Sequence, residues 1–192
     1  VYPIFLLYIE IPVIMKPYLK IKNIGAIKEA QIEIYKVNIF IGPQSSGKST
    51  ISKLISTLSW MEKEACTTLS KDVLPEGKNF KQFVEDYHRM HGYIDEDSSV
   101  VKYESDYVTI IYDKGEYRLT LKEKCIEYER VKVSYVPSDR NVITMRDIQL
   151  RNLEETNFRS FLFDWLEARR SFDSSNMADI LALDVKYYFD VD

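Results

Sequence analysis

Apolar and polar residues alternate along two short runs near the start of the chain, at residues 19–24 and 30–34. Successive side chains of a strand point to opposite faces of its sheet, so these runs predict two half-buried strands that pair antiparallel. The following run, residues 37–41, is β-branched or aromatic at every position except Asn38. That composition predicts a buried strand of the main sheet.

Two later stretches carry apolar residues at helical spacing. Ile51, Leu54, Ile55 and Leu58 predict a helix over residues 49–64, and Phe80, Phe83, Val84 and Tyr87 predict a second helix near residues 79–90.

A β-rich insert follows the second helix. Residues 107–112 and 116–121 flank an Asp-Lys-Gly turn and predict a hairpin. Residues 125–129 add a candidate short strand. Residues 131–136 predict a strand that lies beside the 37–41 strand in the main sheet.

The C-terminal part has a helical pattern. Its apolar stripe consists of Phe158, Phe161, Leu162, Trp165 and Leu166. A helix over residues 177–183 and the start of a strand at 185–189 follow. The chain is therefore predicted to be α/β, with an N-terminal antiparallel strand pair, a β-rich insert, a helical region and an incomplete sheet.

A phosphate-binding P-loop motif, G-x-x-x-x-G-K-[S/T], lies between the predicted 37–41 strand and the first helix. We predict a nucleotide-binding set of Gly42, Pro43, Gln44, Ser45, Ser46, Gly47, Lys48, Ser49 and Thr50. Such a loop aims backbone N–H groups at a phosphate, and the helix N-terminus adds its positive dipole. Strand, glycine loop and helix occur in the order that the motif requires.

Individual roles follow from the chemistry of ATP and Mg²⁺. Lys48 is predicted to place its charge on the β- and γ-phosphates, and Ser49 to offer a hydroxyl to Mg²⁺, which prefers oxygen ligands. Thr50 is predicted to bond the α-phosphate. Arg140 follows the predicted 131–136 strand, so it either reaches a γ-phosphate or a partner subunit, or forms a structural ion pair. Lys48 and Arg140 are the candidate catalytic residues.

The net charge of −4 argues against a DNA-binding protein with a basic surface, although a local basic patch stays open. Cys66 and Cys125 are far apart in sequence and are predicted to be reduced thiols rather than a disulfide. His88 and His91 are predicted to be solvated surface residues rather than metal ligands. The acidic run at residues 95–99 is predicted to be a solvated turn rather than a cation site.

The first residues are apolar, but Glu10, Pro12 and Lys16 interrupt the run, so it predicts no transmembrane helix and no membrane partner. No secretory signal pattern is present, and we expect a cytoplasmic protein. Residues 1–14 are interpreted as an extension or upstream translation before Met15, with an extra edge strand as the alternative. Residues 15–192 are interpreted as one partial P-loop domain.

The order of these motifs resembles a known family. Residues 19–25, 30–34 and 38–50 together look like the N-terminal half of the ABC-like AAA-family ATPases, the RecF/SMC/OLD-related group of bacteria. The segment from Ser134 to Arg140, which reads Ser-Tyr-Val-Pro-Ser-Asp-Arg, is similar to a strand end of that group.

The resemblance implies a homodimer of heads that sandwiches ATP and Mg²⁺, hydrolyses ATP and switches a nuclease or other effector, with DNA as a further candidate partner. The chain departs from the family pattern because no hydrophobic strand ends in paired carboxylates, and residues 181–184 contain a lone Asp. No Ser-Gly signature is present. We therefore expect Mg-ATP binding with weak or no hydrolysis by this chain alone. The alternatives are a non-catalytic interaction module and a small P-loop kinase.

Overall fold

An antiparallel sheet with helices packed on one face dominates the first part of the chain. The computed structural model describes residues 16–137 and 156–171. The chain divides into two units, Val1–Val133 and Ser134–Asp192. Within the described ranges, no helix is both long enough and apolar enough to cross a membrane.

The first unit is a mixed α/β structure. Its elements in chain order are β1 (Tyr18–Ile24), β2 (Ile27–Glu33), α1 (Lys48–Thr68), α2 (Phe80–His88), β3 (Val100–Glu104), β4 (Val108–Asp113), β5 (Glu116–Leu121) and a 3₁₀ helix (Glu123–Glu127). The strand order in the sheet is β2-β1-β3-β4-β5, and every neighbouring pair is antiparallel.

The core lies between one face of this sheet and the two helices. Alternate strand residues supply the sheet side, including Leu19, Ile21, Val101, Tyr103, Ile110 and Tyr112. The helix side comes from Leu54, Leu58, Met61 and Ala65 of α1 and from Phe80, Phe83 and Val84 of α2. Phe80 stacks on Tyr112 and Tyr117, with ring centroids 4.9 and 5.6 Å apart, so α2 is fixed over β4 and β5.

Several elements form where the hydrophobic pattern predicts them. The N-terminal pair is β1 and β2, the hairpin is β4 and β5, and both helices form, although α1 continues to Thr68. Helix α2 begins at a capping box, in which the Asn79 side chain accepts from the Gln82 N–H and the Gln82 side chain accepts from the Asn79 N–H.

The strand predicted at residues 37–41 is absent, and this prediction is wrong. Val37, Ile39 and Ile41 are 74, 80 and 92% exposed. Asn38 explains the difference, because its side chain accepts a hydrogen bond from the Tyr35 N–H at 2.8 Å and donates to the Glu33 carbonyl at 3.1 Å. These bonds turn the chain directly after β2, away from the ladder of the sheet.

Three further differences concern the insert. Residues 125–127 of the candidate strand at 125–129 lie instead in the 3₁₀ helix, and residues 131–136 form no strand. Val131 and Val136 are each about half exposed. Strand β3, which the pattern did not reveal, lies at the centre of the sheet between β1 and β4.

The second unit contributes one described helix, α3 (Asn157–Ser171). It contains the predicted apolar stripe, in which Leu162 is buried. The Ser134 hydroxyl donates to the Asp164 carboxylate at 2.7 Å. The predicted helix at 177–183, the strand start at 185–189 and residues 1–14 lie outside the described residues.

Candidate phosphate-binding site

The candidate site is the exposed loop that enters α1. Residues 42–46 are exposed, Gly47 is buried, and Lys48 is the first residue of the helix. Ser45 and Gly47 have φ angles of 61° and 93°, in the left-handed region, so the loop curls tightly before the helix begins.

The N-terminus of α1 has no side-chain cap within residues 16–137 and 156–171. Gly47 occupies the N-cap position without a side-chain hydrogen bond, and the first turn contains no acidic residue. Among the described residues, none accepts a hydrogen bond from a backbone N–H of residues 44–49. An uncapped helix start of this kind presents several parallel N–H donors and a partial positive charge.

Gly47 fixes the start of α1 against the sheet. A Cβ at this position would lie 2.6 Å from Cγ1 of Ile27, the first residue of β2. Only glycine tolerates both this approach and the positive φ. Gly42 is less constrained, because a Cβ there would lie 3.1 Å from the Ser46 hydroxyl, at the end of a small side chain.

The Lys48 side chain folds back over the loop. Its Nζ donates to the carbonyls of Gly42 and Pro43 at 2.9 and 2.5 Å, and lies 3.3 Å from the Ser46 hydroxyl. The ammonium group therefore ties the end of the loop to its start.

The remaining predicted residues differ in exposure. Pro43, Gln44, Ser45 and Ser49 are exposed, whereas Thr50 is buried. Ser49 lies in the first turn of α1, and its hydroxyl oxygen is of the kind that Mg²⁺ accepts as a ligand. Mg²⁺ commonly takes only one or two protein ligands beside phosphate and water, so a single hydroxyl fits this ion. Arg140 lies outside the described residues.

A polar cluster links the middle of α1 to α2, and the sequence analysis missed it. His88 is 1% exposed, so its predicted position in solvent is wrong. Its Nε2 lies 2.7 Å from the Thr57 hydroxyl, and Lys53 Nζ donates to the His88 carbonyl at 3.0 Å. Burial first, and then the Lys53 charge, lower the pKa of His88 to about 3. His91 is exposed, as predicted.

A second buried polar group lies one turn further along α1. Glu62 is buried beneath the sheet, and its Oε2 has no hydrogen-bond partner in the described part of the chain. Burial raises the pKa of the Glu62 carboxyl, while the hydroxyl groups of Ser105 and Tyr103 oppose that rise. The helix that begins at the candidate loop therefore carries a buried carboxyl whose pKa is raised.

The acidic run at residues 95–99 forms a turn. Asp95 Oδ1 accepts hydrogen bonds from the N–H groups of Asp97 and Ser98 and from the Ser98 hydroxyl. These bonds, led by the Ser98 hydroxyl, lower the pKa of Asp95. In residues 16–137 and 156–171, no group of three or more His, Cys, Asp or Glu side chains is arranged to hold a metal ion.

Comparison of the chain with protein-family models, with curated proteins and with solved structures finds no match. The geometry of the loop and the chemistry of its residues are therefore the basis on which a function is inferred.

Proposed function

We propose that residues 42–50 bind the phosphates of Mg-ATP, and that the chain is the N-terminal part of an ABC-like P-loop ATPase head. The observation that carries this proposal is the uncapped start of α1. Backbone N–H groups that have no acceptor in the described part of the chain lie on one exposed loop with the Lys48 ammonium. An anion with several oxygens supplies the acceptors that these donors lack.

The proposal assigns a role to each part of the loop. The N–H groups of residues 44–49 hold phosphate oxygens, and Lys48 exchanges its carbonyl contacts for the terminal phosphates. The Ser49 hydroxyl takes one coordination position of Mg²⁺. Bound ATP supplies the phosphoryl group, and this chain supplies its binding and orientation. We expect hydrolysis to require residues from a complete, dimeric head.

The test compares two lysine-to-alanine variants by isothermal titration calorimetry. Lys48→Ala removes charge-assisted hydrogen bonds worth about 1.5–3 kcal/mol, so ATP affinity should fall roughly 10- to 150-fold. Lys36→Ala is the matched control, because Lys36 is exposed before the loop and the net charge changes equally. Adenosine, which has no phosphate, should bind weakly to all three proteins.

Two outcomes contradict the proposal. One is an ATP affinity that Lys48→Ala leaves unchanged while circular dichroism shows a folded chain. The other is equal affinity for adenosine and ATP. The Mg²⁺ assignment has its own test, since Ser49→Ala should reduce the gain in ATP affinity that Mg²⁺ gives and leave the affinity in EDTA unaltered.

A second candidate function is an interaction module that binds nucleotide without catalysis. It is favoured by the exposed apolar side chains of Val37, Ile39 and Ile41. Size-exclusion chromatography of the wild type and of Ile39→Ser/Ile41→Ser, with and without ATP, separates the candidates. Self-association that ATP leaves unchanged and the double variant abolishes favours the module. An ATP-dependent dimer favours the ATPase head.

A further inference from the structure

The two cysteines of the chain meet at the far end of α1. Cys66 lies in the last turns of α1, and Cys125 lies in the 3₁₀ helix after β5. Both are free thiols with exposures of 6 and 2%. Their side chains line the same cavity of about 270 Å³, so the fold joins two residues that are remote in sequence.

The cavity gives small molecules access to these thiols. Its other lining residues include Leu69 and Ile126, which are 57 and 77% exposed, so the cavity opens to solvent. Tyr128 and Thr67 complete the wall near the thiols. A small oxidant can therefore reach sulfur atoms that are otherwise buried.

The environment of the pair makes Cys66 a weak nucleophile. Burial, together with the adjacent Cys125 thiol, raises the pKa of Cys66. The thiolate is the reactive form of cysteine, so a raised pKa slows attack by the Cys66 sulfur.

We propose that Cys66 and Cys125 are a redox-active pair, which a peroxide oxidises to a disulfide that fastens the end of α1 to the 3₁₀ helix. One of the two sulfurs loses its proton to solvent and attacks one peroxide oxygen. The O–O bond breaks, and a sulfenic acid and a hydroxide ion form; the released proton converts the hydroxide to water. The other sulfur then attacks the sulfenic sulfur, loses its proton and displaces a second water. The two thiols lose two electrons, and hydrogen peroxide accepts them.

Hydrogen peroxide treatment of the folded wild type tests the proposal. Trypsin cleavage after Lys63 and Lys71 releases a peptide with Cys66, and cleavage after Lys124 and Arg130 releases one with Cys125. Mass spectrometry without reductant should find these peptides linked, and dithiothreitol should separate them. The cross-link closes a long loop, so the melting temperature should rise by roughly 10 °C.

Cys66→Ser and Cys125→Ser provide the controls. Each variant keeps one thiol, so it should form no intramolecular cross-link and should instead carry, on the remaining cysteine, a sulfenic acid that dimedone traps. The proposal is overturned if peroxide leaves both thiols of the folded wild type intact while it oxidises the urea-unfolded chain, or if it yields only intermolecular dimers. The wild-type experiment needs neither variant to fold. No nucleotide is present, so its failure is distinct from failure of ATP binding.

Discussion

The buried His88 should make the stability of the first unit fall in mild acid. In the folded chain its pKa is about 3, lowered first by burial and then by the Lys53 ammonium. In the unfolded chain a histidine has a pKa of about 6.5. Below that value the unfolded state binds a proton that the folded state excludes, so the free energy of unfolding falls as pH decreases from about 6.5 to 3.

The size of this effect follows from the two pKa values. At pH 4.5 the unfolded histidine is about two pH units below its pKa, and each unit corresponds to roughly 1.4 kcal/mol. The folded histidine is still largely neutral at that pH. His88 should therefore reduce the free energy of unfolding by about 2.5 kcal/mol between pH 7 and pH 4.5.

Urea unfolding of the wild type and of His88→Gln at both pH values measures this effect. Glutamine can still bond the Thr57 hydroxyl, but it cannot be protonated. The wild type should lose about 2.5 kcal/mol more than His88→Gln between the two pH values. Carboxyl groups such as Glu62 titrate equally in both proteins and cancel. His91→Gln, at an exposed position, should behave like the wild type. Equal pH dependence of wild type and His88→Gln would refute the reasoning.

Two other predictions concern the N-cap of α1 and a buried carboxyl on the same helix. Gly47→Ala should lower the free energy of unfolding by roughly 2–4 kcal/mol, from the left-handed backbone and from the contact with Ile27. In urea unfolding, Gly47→Ala should cost less free energy when it is made in an Ile27→Ala background than in the wild type. An equal cost in both backgrounds would contradict the packing argument. The pKa of Glu62 is higher in the folded chain than in the unfolded chain, so the unfolded chain ionises first as pH rises and the free energy of unfolding falls. Glu62→Gln should remove this fall. Parallel stability curves of Glu62→Gln and the wild type from pH 5 to pH 8 would contradict that assignment.

The elements that the sequence predicted correctly are those whose signal is local. Strands β1 and β2 alternate with a period of two, and the β4–β5 hairpin has its turn between two β-rich runs. Helix α2 has its apolar spacing and the Asn79 cap. In each element the pattern and the nearby turn or cap agree, so no distant contact is needed to decide the structure.

Residues 37–41 and 131–136 have the composition of strands but form none. Strand formation depends on pairing with another segment, and composition alone does not supply it. The Asn38 side chain, which bonds Tyr35 and Glu33, was the local signal for a turn. Strand β3 is short, and although Val101 and Tyr103 are buried on either side of Lys102, the apolar Val100 interrupts the alternation of apolar and polar residues.

The buried polar residues could have been found from helical spacing. His88 lies four residues after Val84 and eight after Phe80, on the buried face of α2. Glu62 likewise lies four residues after Leu58 and four before Cys66 on α1. His88 was predicted to be exposed because histidine is a polar residue type. Its position on the buried face of the helix places it in the core instead.

The geometry of the candidate loop depends on α1 and β2 rather than on a strand before the loop. Gly47 contacts Ile27 at the start of β2, and Lys48 holds the carbonyls of Gly42 and Pro43. The loop is thus fixed from its helical side, although residues 37–41 are outside the sheet. The N–H donors belong to the last loop residues and the first turn of α1, so this anchoring holds the donors in position. A substitution at Ile27 should therefore disturb phosphate binding more than one at Ile39, and the ATP affinities of Ile27→Ala and Ile39→Ala compare the two supports directly.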